Sequence, residues 1–210
     1  MPPEVALVVA RQTGRMRLFV GVAPPTEAVE DLDAFLDVRR EVGPFRWTLA
    51  EQWHLTLSFM GSVADRHLDE LVDRLARAGK RRTPFELRFA GGGAFPNPAR
   101  AKVLYADVRG DDHARTELDR LATGVRAACT KAGAEVDGHR FRAHLTLARL
   151  GRPQEVSNWV RLLDAYEGPA WTVDEFVLVE SHLGEGPRKR PRHEVLETFP
   201  LGRATTTASR

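Results

Sequence analysis

Cysteine occurs once in this 210-residue sequence, at Cys129, so no internal disulfide can form and no zinc site built on paired cysteines is present. That scarcity fits a reducing, cytoplasmic setting, with Cys129 a small buried filler in an alanine-rich helical pattern. Long apolar runs are also missing. None approaches the ~20 residues that a membrane-spanning helix needs, so no membrane association is expected. The opening MPPEVALVVARQTGR has a short apolar patch but neither a charged start nor a cleavage signal, which argues against a signal peptide. There is no excess of one charge: 31 basic residues face 29 acidic ones, a net of +2, which does not announce a nucleic-acid binder. The basic runs Lys80, Arg81, Arg82 and Arg188, Lys189, Arg190 with Arg192 are each read as solvated loops, although arginine suits phosphate.

What is present is a globular pattern with punctuation. RLFVGVA (17–23) reads as a buried strand ended by Pro24 and Pro25. Thr26 is placed to cap a helix with Val29, Leu32 and Leu36 on one face. FRWTLA (45–50) reads as a strand. A helix carrying Leu68, Leu71, Val72 and Leu75 follows, and then an alternating strand over 85–90. The second half repeats the plan: a strand at 103–108, a helix with Leu118, Leu121 and Val125, a further helix with Val156, Trp159, Val160 and Leu163, and one long strand over 172–183. A final strand or edge segment is expected over 193–201. The stretch GGGAFPNPAR, dense in Gly and Pro, marks a lobe boundary near 91–101.

Within this repeat the tetrapeptide His-Leu-Thr-Leu occurs twice, as HLTLSFMG from His54 and HLTLARLG from His144. Alternation along a strand puts His54, Thr56 and Ser58 on one face and Leu55, Leu57 and Phe59 on the other. In the second copy His144 and Thr146 share a face opposite Leu145 and Leu147. Matched surroundings in two repeats place the two polar faces opposite one another. The fold class expected is α+β: a bilobal duplicated unit, pseudo-two-fold symmetric, with two antiparallel sheets flanking a central cleft and helices outside. An N-terminal extension covers 1–15, a single bilobal domain 16–202, and a flexible tail 203–210.

Imidazole titrates near pH 6.5, so one copy can take a proton while the other gives one. Threonine hydroxyls can hold phosphate oxygens. These residue types fit hydrolysis or transfer at a phosphodiester without a metal; HxT lacks the two-His spacing of a zinc helix, and threonine is a poor zinc ligand.

At this point the chain resembles the 2H phosphoesterase superfamily, named for paired HxTx motifs, and within it the RNA 2′,3′-cyclic phosphodiesterases, also known as the 2′-5′ RNA ligase-like family. The resemblance runs from Met16 to about Gly202 and includes MRLFVGV, RWTLAEQWHLTLSFMG, GAFPNP, FRAHLTLAR and ETFPL. It implies hydrolysis of an RNA terminal 2′,3′-cyclic phosphate to a 2′-phosphomonoester, with weak reversible 2′-5′ ligation. His54 would be the proton donor, His144 the proton acceptor, and Thr56 and Thr146 the phosphate holders. No cofactor and no metal are implied. The partner is an RNA with a 2′,3′-cyclic phosphate end, tRNA fragments among the candidates, and the protein is expected to act as a monomer.

Further site candidates are less securely tied to the motif. Arg142 shares parity with His144 and Arg149 does not, but strand ends twist; both are candidate phosphate ligands. Phe95 and Trp53 suit either base stacking or packing, and Ser181 and His182 are placed to border the cleft. His67, His113, His139 and His193 read as surface residues. Relatives often have a proline before the second histidine, where this chain has Ala143, and an aromatic near Pro191, Arg192 and His193. Two other functions stay open: a 2H enzyme acting on a small cyclic nucleotide or a 2′-5′ oligonucleotide, and a non-catalytic RNA-binding module.

Overall fold

The computed structural model describes residues 14–41, 43, 45–138, 140–186 and 189–202. The tail and residues 1–13 of the expected extension lie outside them, as does His139. Arg15, counted with the extension, opens the first strand instead.

The chain runs β1 (Arg15–Val22), α1 (Thr26–Arg40), β2 (Arg46–Trp47), β3 (Leu55–Ala64), α2 (Leu68–Gly79), β4 (Phe85–Phe95), β5 (Ala101–Arg109), α3 (Asp112–Lys131), β6 (His144–Gln154), α4 (Ser157–Asp164), β7 (Trp171–Val173), β8 (Glu175–His182) and β9 (Arg192–Pro200). Thr26 is the first helical residue of α1, with Pro25 at the cap and no side-chain cap bond. Asp111 does cap α3: its side chain accepts from the Ala114 amide at 2.7 Å, a bond of a kind that contributes about 1 kcal/mol. The strand expected over 45–50 is only β2, and the chain then tightens into a 3₁₀ turn, Ala50–Gln52. None of the described helices is long and apolar enough to cross a membrane.

All strand pairings are antiparallel, in the order β9-β8-β1-β3-β6-β5-β4-β7, with β2 added alongside β6. The order divides at its centre. The two HLTL strands, β3 and β6, pair only through Leu55 and Leu145. Four strands of this order lie on each side of the seam, with the two-residue β2 as a fifth beside β6, so the two expected sheets are halves of one curled array, related about the seam. Leu55 and Leu145 are buried there with Leu57 and Leu147, each such side chain contributing roughly 1.5–3 kcal/mol through removal from water.

The repeats interleave. β4, which closes the first repeat, pairs with β5 of the second; β8, which belongs to the second, pairs with β1 of the first. The boundary expected near 91–101 therefore falls inside the β4–β5 hairpin, where Phe95 pairs with Val103. Apart from the two residues of β2, which lie alongside β6, the chain crosses between halves between α2 and β4, and again between β7 and β8. That second crossing breaks the long strand expected over 172–183: at Asp174 it leaves its pairing with β4 and joins β1 and β9. Helices α2 and α3 cover the half containing β3 and β9, while α1 and α4 lie against β4.

Candidate active site

Both HLTL copies carry the same irregularity. Between β1 and β3, Val20 pairs with Ser58 and Gly21 with Thr56, so Leu57 is an extra residue. Between β5 and β6, Leu104 pairs with Ala148 and Tyr105 with Thr146, so Leu147 is extra. A bulge of this kind shifts the side-chain alternation by one. Ser58, expected on the face of His54, is therefore buried on the α3 side beside Cys129. Phe59 and Arg149 turn toward the cleft in its place. Cys129 is fully buried, and burial pushes its thiol up to about 11, as expected of a filler.

The two histidines are held alike. His54 lies just ahead of β3, not within it, and its Nδ1 bonds the Gln52 carbonyl at 2.8 Å. His144 opens β6, and its Nδ1 bonds the Arg142 carbonyl at 2.7 Å. A carbonyl only accepts, so in each ring Nδ1 is the donor and Nε2 is left to exchange a proton. Aromatic rings fix each imidazole. Phe19 stacks on His54 at 4.3 Å and His193 meets it edge-on at 5.5 Å. Phe95 and Tyr105 meet His144 edge-on at 5.0 and 5.5 Å.

His54, Thr56, Thr146 and Arg149 line one cleft of about 570 Å³. Its cations are Arg17, Arg46, Arg149, Lys189 and Arg190, and no carboxylate lines it among the described residues. His144 and Arg142 are not in that lining. His144 is instead linked to it by Thr146, two residues along β6, and by its electrostatic effect on His54. Arg142 is exposed and lies over the rings of Phe95 and Tyr105 at 5.3 and 5.2 Å.

Burial pushes His54 down to about 4, helped by the charges of His193, His144 and Arg149 and opposed by its bond to the Gln52 carbonyl. His144 is lowered as well, by burial and then by Arg142 and Arg149, against its bond to the Arg142 carbonyl and against Asp107. Both rings are thus biased toward the neutral form.

The remaining candidates divide. Ser181 lines the cleft, whereas His182 turns to Glu180, Glu185 and Glu194. Trp53 is core. Phe95 backs His144, and the Phe95–Pro96 peptide is cis. Arg192 pairs with Glu185 and Glu194 outside the cleft, while Lys189 and Arg190 of the same run line it. His193, read from sequence as a surface residue, stands in the cleft because β9 pairs with β8 and places it opposite Ser181. The β8–β9 pairing joins sequence neighbours, but the pairing of β8 with β1 that brings them to the cleft has no local sequence signal.

Comparison with known proteins identifies a family and a fold for this chain. The model of the 2′-5′ RNA ligase superfamily matches residues 22–185. A curated protein of Archaeoglobus fulgidus named RNA 2′,3′-cyclic phosphodiesterase is 33% identical over 185 residues, covering 88% of this chain and 99% of that one. Another of the same name, from Geobacillus stearothermophilus, is 28% identical over 190 residues; these cover 89% of this chain but only 58% of that longer protein. A solved structure from Thermus thermophilus, 31% identical, aligns with a TM-score of 0.70 over 89% of this chain and 98% of its own. The resemblance that the paired HxTx motifs carry is therefore one of descent as well as pattern, and the chain belongs to the 2′-5′ RNA ligase superfamily.

Proposed function

We propose that this protein hydrolyses the 2′,3′-cyclic phosphate at the end of an RNA to a 2′-phosphomonoester, by acid–base catalysis between His54 and His144. The observation that carries the reading is the matched pair of imidazoles. Each is anchored through Nδ1 by the carbonyl two residues before it, and each is followed by a threonine that lines the same basic cleft. The names of the relatives supply the substrate class.

In this scheme His144 Nε2 takes a proton from water as the water oxygen bonds to phosphorus. The bond from phosphorus to O3′ breaks, and His54 Nε2 gives its proton to the departing O3′. Thr56 and Thr146 donate hydrogen bonds to the non-bridging oxygens, and Arg149 offsets their charge. An RNA 5′-hydroxyl in place of water gives a 2′-5′ linkage by the same path, run reversibly and weakly. Both histidines and both threonines come from one chain, so the scheme needs only a monomer, and the ends of tRNA fragments are among the substrates it would take.

His54 must arrive protonated in this scheme, yet its burial favours the neutral ring. The substrate's own negative charge resolves this, since an anion beside both rings raises both. The kcat profile, which reports the bound state, is therefore expected to peak at higher pH than the kcat/KM profile, which reports the free enzyme. Coincident optima would show that the bound phosphate does not load the acid. Arg149→Ala is expected to raise KM by about 10–100-fold, the scale of one charge-assisted hydrogen bond lost, and to shift both limbs upward, because Arg149 lowers both histidines. An unchanged KM would remove Arg149 from the phosphate site.

The deciding experiment is incubation with an oligonucleotide ending in 2′,3′-cyclic phosphate, with and without EDTA. A 2′-phosphate product that forms in EDTA supports the scheme. A 3′-phosphate reverses the leaving oxygen. No product turns the reading to a small cyclic nucleotide, a 2′-5′ oligonucleotide, or a binding role without turnover.

A further inference from the structure

A second concentration of positive charge lies on the helices, away from the cleft. Along α2, Arg74, Arg77 and Ala78 share one face at helical spacing, and Arg81 follows just past the helix end on the same groove. Opposite them on α3, Gly124, Ala127 and Ala128 form a floor of small residues, with Arg120 and Lys131 at its two ends, about 16 Å apart along the helix. Arg82 completes the lining of this groove of about 260 Å³, and no carboxylate lines it among the described residues. The groove lies behind the sheet: α3 covers the buried side of β3, and Thr56 faces the cleft on the other.

The cations are partly fixed in place. Glu70 holds Arg74 at 2.6 Å, and Glu117 holds Arg120 at 3.1 Å and Arg82 at 3.7 Å. Arg81 and Lys131 are exposed and have no side-chain partner among the described residues. Asp73 pairs with Arg77 at 3.8 Å, so Glu70, Asp73 and Glu117 offset part of the charge, yet six cations against three carboxylates leave a local excess in a chain whose net charge is only +2.

We infer that this groove is a second site for the phosphate backbone of RNA, engaging the strand at a distance from its reacting end. The inference rests on the proposed function for its choice of RNA. Guanidinium forks match phosphate oxygens, and a floor of Gly and Ala lets a backbone come close. A protein partner would need aromatic or aliphatic anchors, which the groove lacks.

The double variant Arg81→Gln/Lys131→Gln tests it with two probes. Turnover of a dinucleotide 2′,3′-cyclic phosphate, too short to reach the groove, is expected to match wild type, which also shows that the variant is folded. Binding of a fluorescent 20-nucleotide RNA with a plain 3′-hydroxyl is expected to weaken about tenfold at physiological salt. The slope of log K against log salt should become shallower by about 1.4, or about 0.7 for each contact removed. Unchanged affinity and slope, with normal dinucleotide turnover, would overturn the groove. Failure of wild type to turn over the dinucleotide would instead count against the proposed function, while the binding measurement would still decide on the groove.

Discussion

His54→Ala and His144→Ala are each expected to lower kcat by about 10³-fold or more, because a positioned acid or base commonly contributes 10²–10⁴-fold. The double variant should be scarcely slower than either single one, since in the proposed scheme the two groups act on one proton circuit and either loss breaks it. Steady-state rates on a cyclic-phosphate dinucleotide would show this, with circular dichroism confirming the fold; either single variant turning over at the wild-type rate would sink the pairing. The same substitution has a stability signature. Unfolded His54 titrates near 6.5 and folded His54 near 4, so between those values the unfolded chain holds more protons. Stability contributed by the neutral ring is fully present above pH 6.5 and falls as the pH drops toward 4. His54→Ala removes this dependence. Its melting temperature should fall less than that of wild type between pH 7.5 and pH 5, and an equal fall in both would contradict the burial of His54.

The second large effect is at the seam. Leu145→Ala is expected to cost about 2–5 kcal/mol, the range for leucines lost from well-packed cores. Leu145 is fully buried, and it is half of the one pairing between β3 and β6. Leu55→Ala should cost a similar amount, and the double variant less than the sum, because the two side chains share one space. Denaturant midpoints measure all three; a cost below about 1 kcal/mol would mean that the seam closes around the gap. Activity should fall further than stability accounts for. Leu145 sits between His144 and Thr146, and a displacement of about 1 Å at a catalytic group can cost 10²-fold.

Much of this was legible in the sequence. Two HLTL copies in matching contexts expose the duplication, and alternation assigns Thr56 and Thr146 to the cleft and the leucines to the core. The leucine bulges were not legible, since nothing in the letters says that Leu57 and Leu147 are surplus to their pairings. Ser58 was therefore placed on the wrong face, and Arg149 was brought in only through a twist. The crossing of β4 and β8 was hidden as well. Local pattern gives the type of an element, while its neighbour in the sheet is decided by distant residues. His193 escapes a local reading for a related reason: β9 pairs with its sequence neighbour β8, but what carries that hairpin to the cleft is the pairing of β8 with β1 at the other end of the chain.

The exchange of β4 and β8 also bears on how the protein can be divided. A break in the loop at Asn97 gives two fragments, each containing one of the paired histidines His54 and His144 and neither containing a complete half-sheet: the first lacks β8 and β9 beside β1, and the second lacks β4 beside β5. Each fragment would present open strand edges and half of an acid–base pair. Only by zipping together could they satisfy those edges, so recovered turnover would count assembled heterodimers one for one, making the interleaved repeats a built-in split reporter.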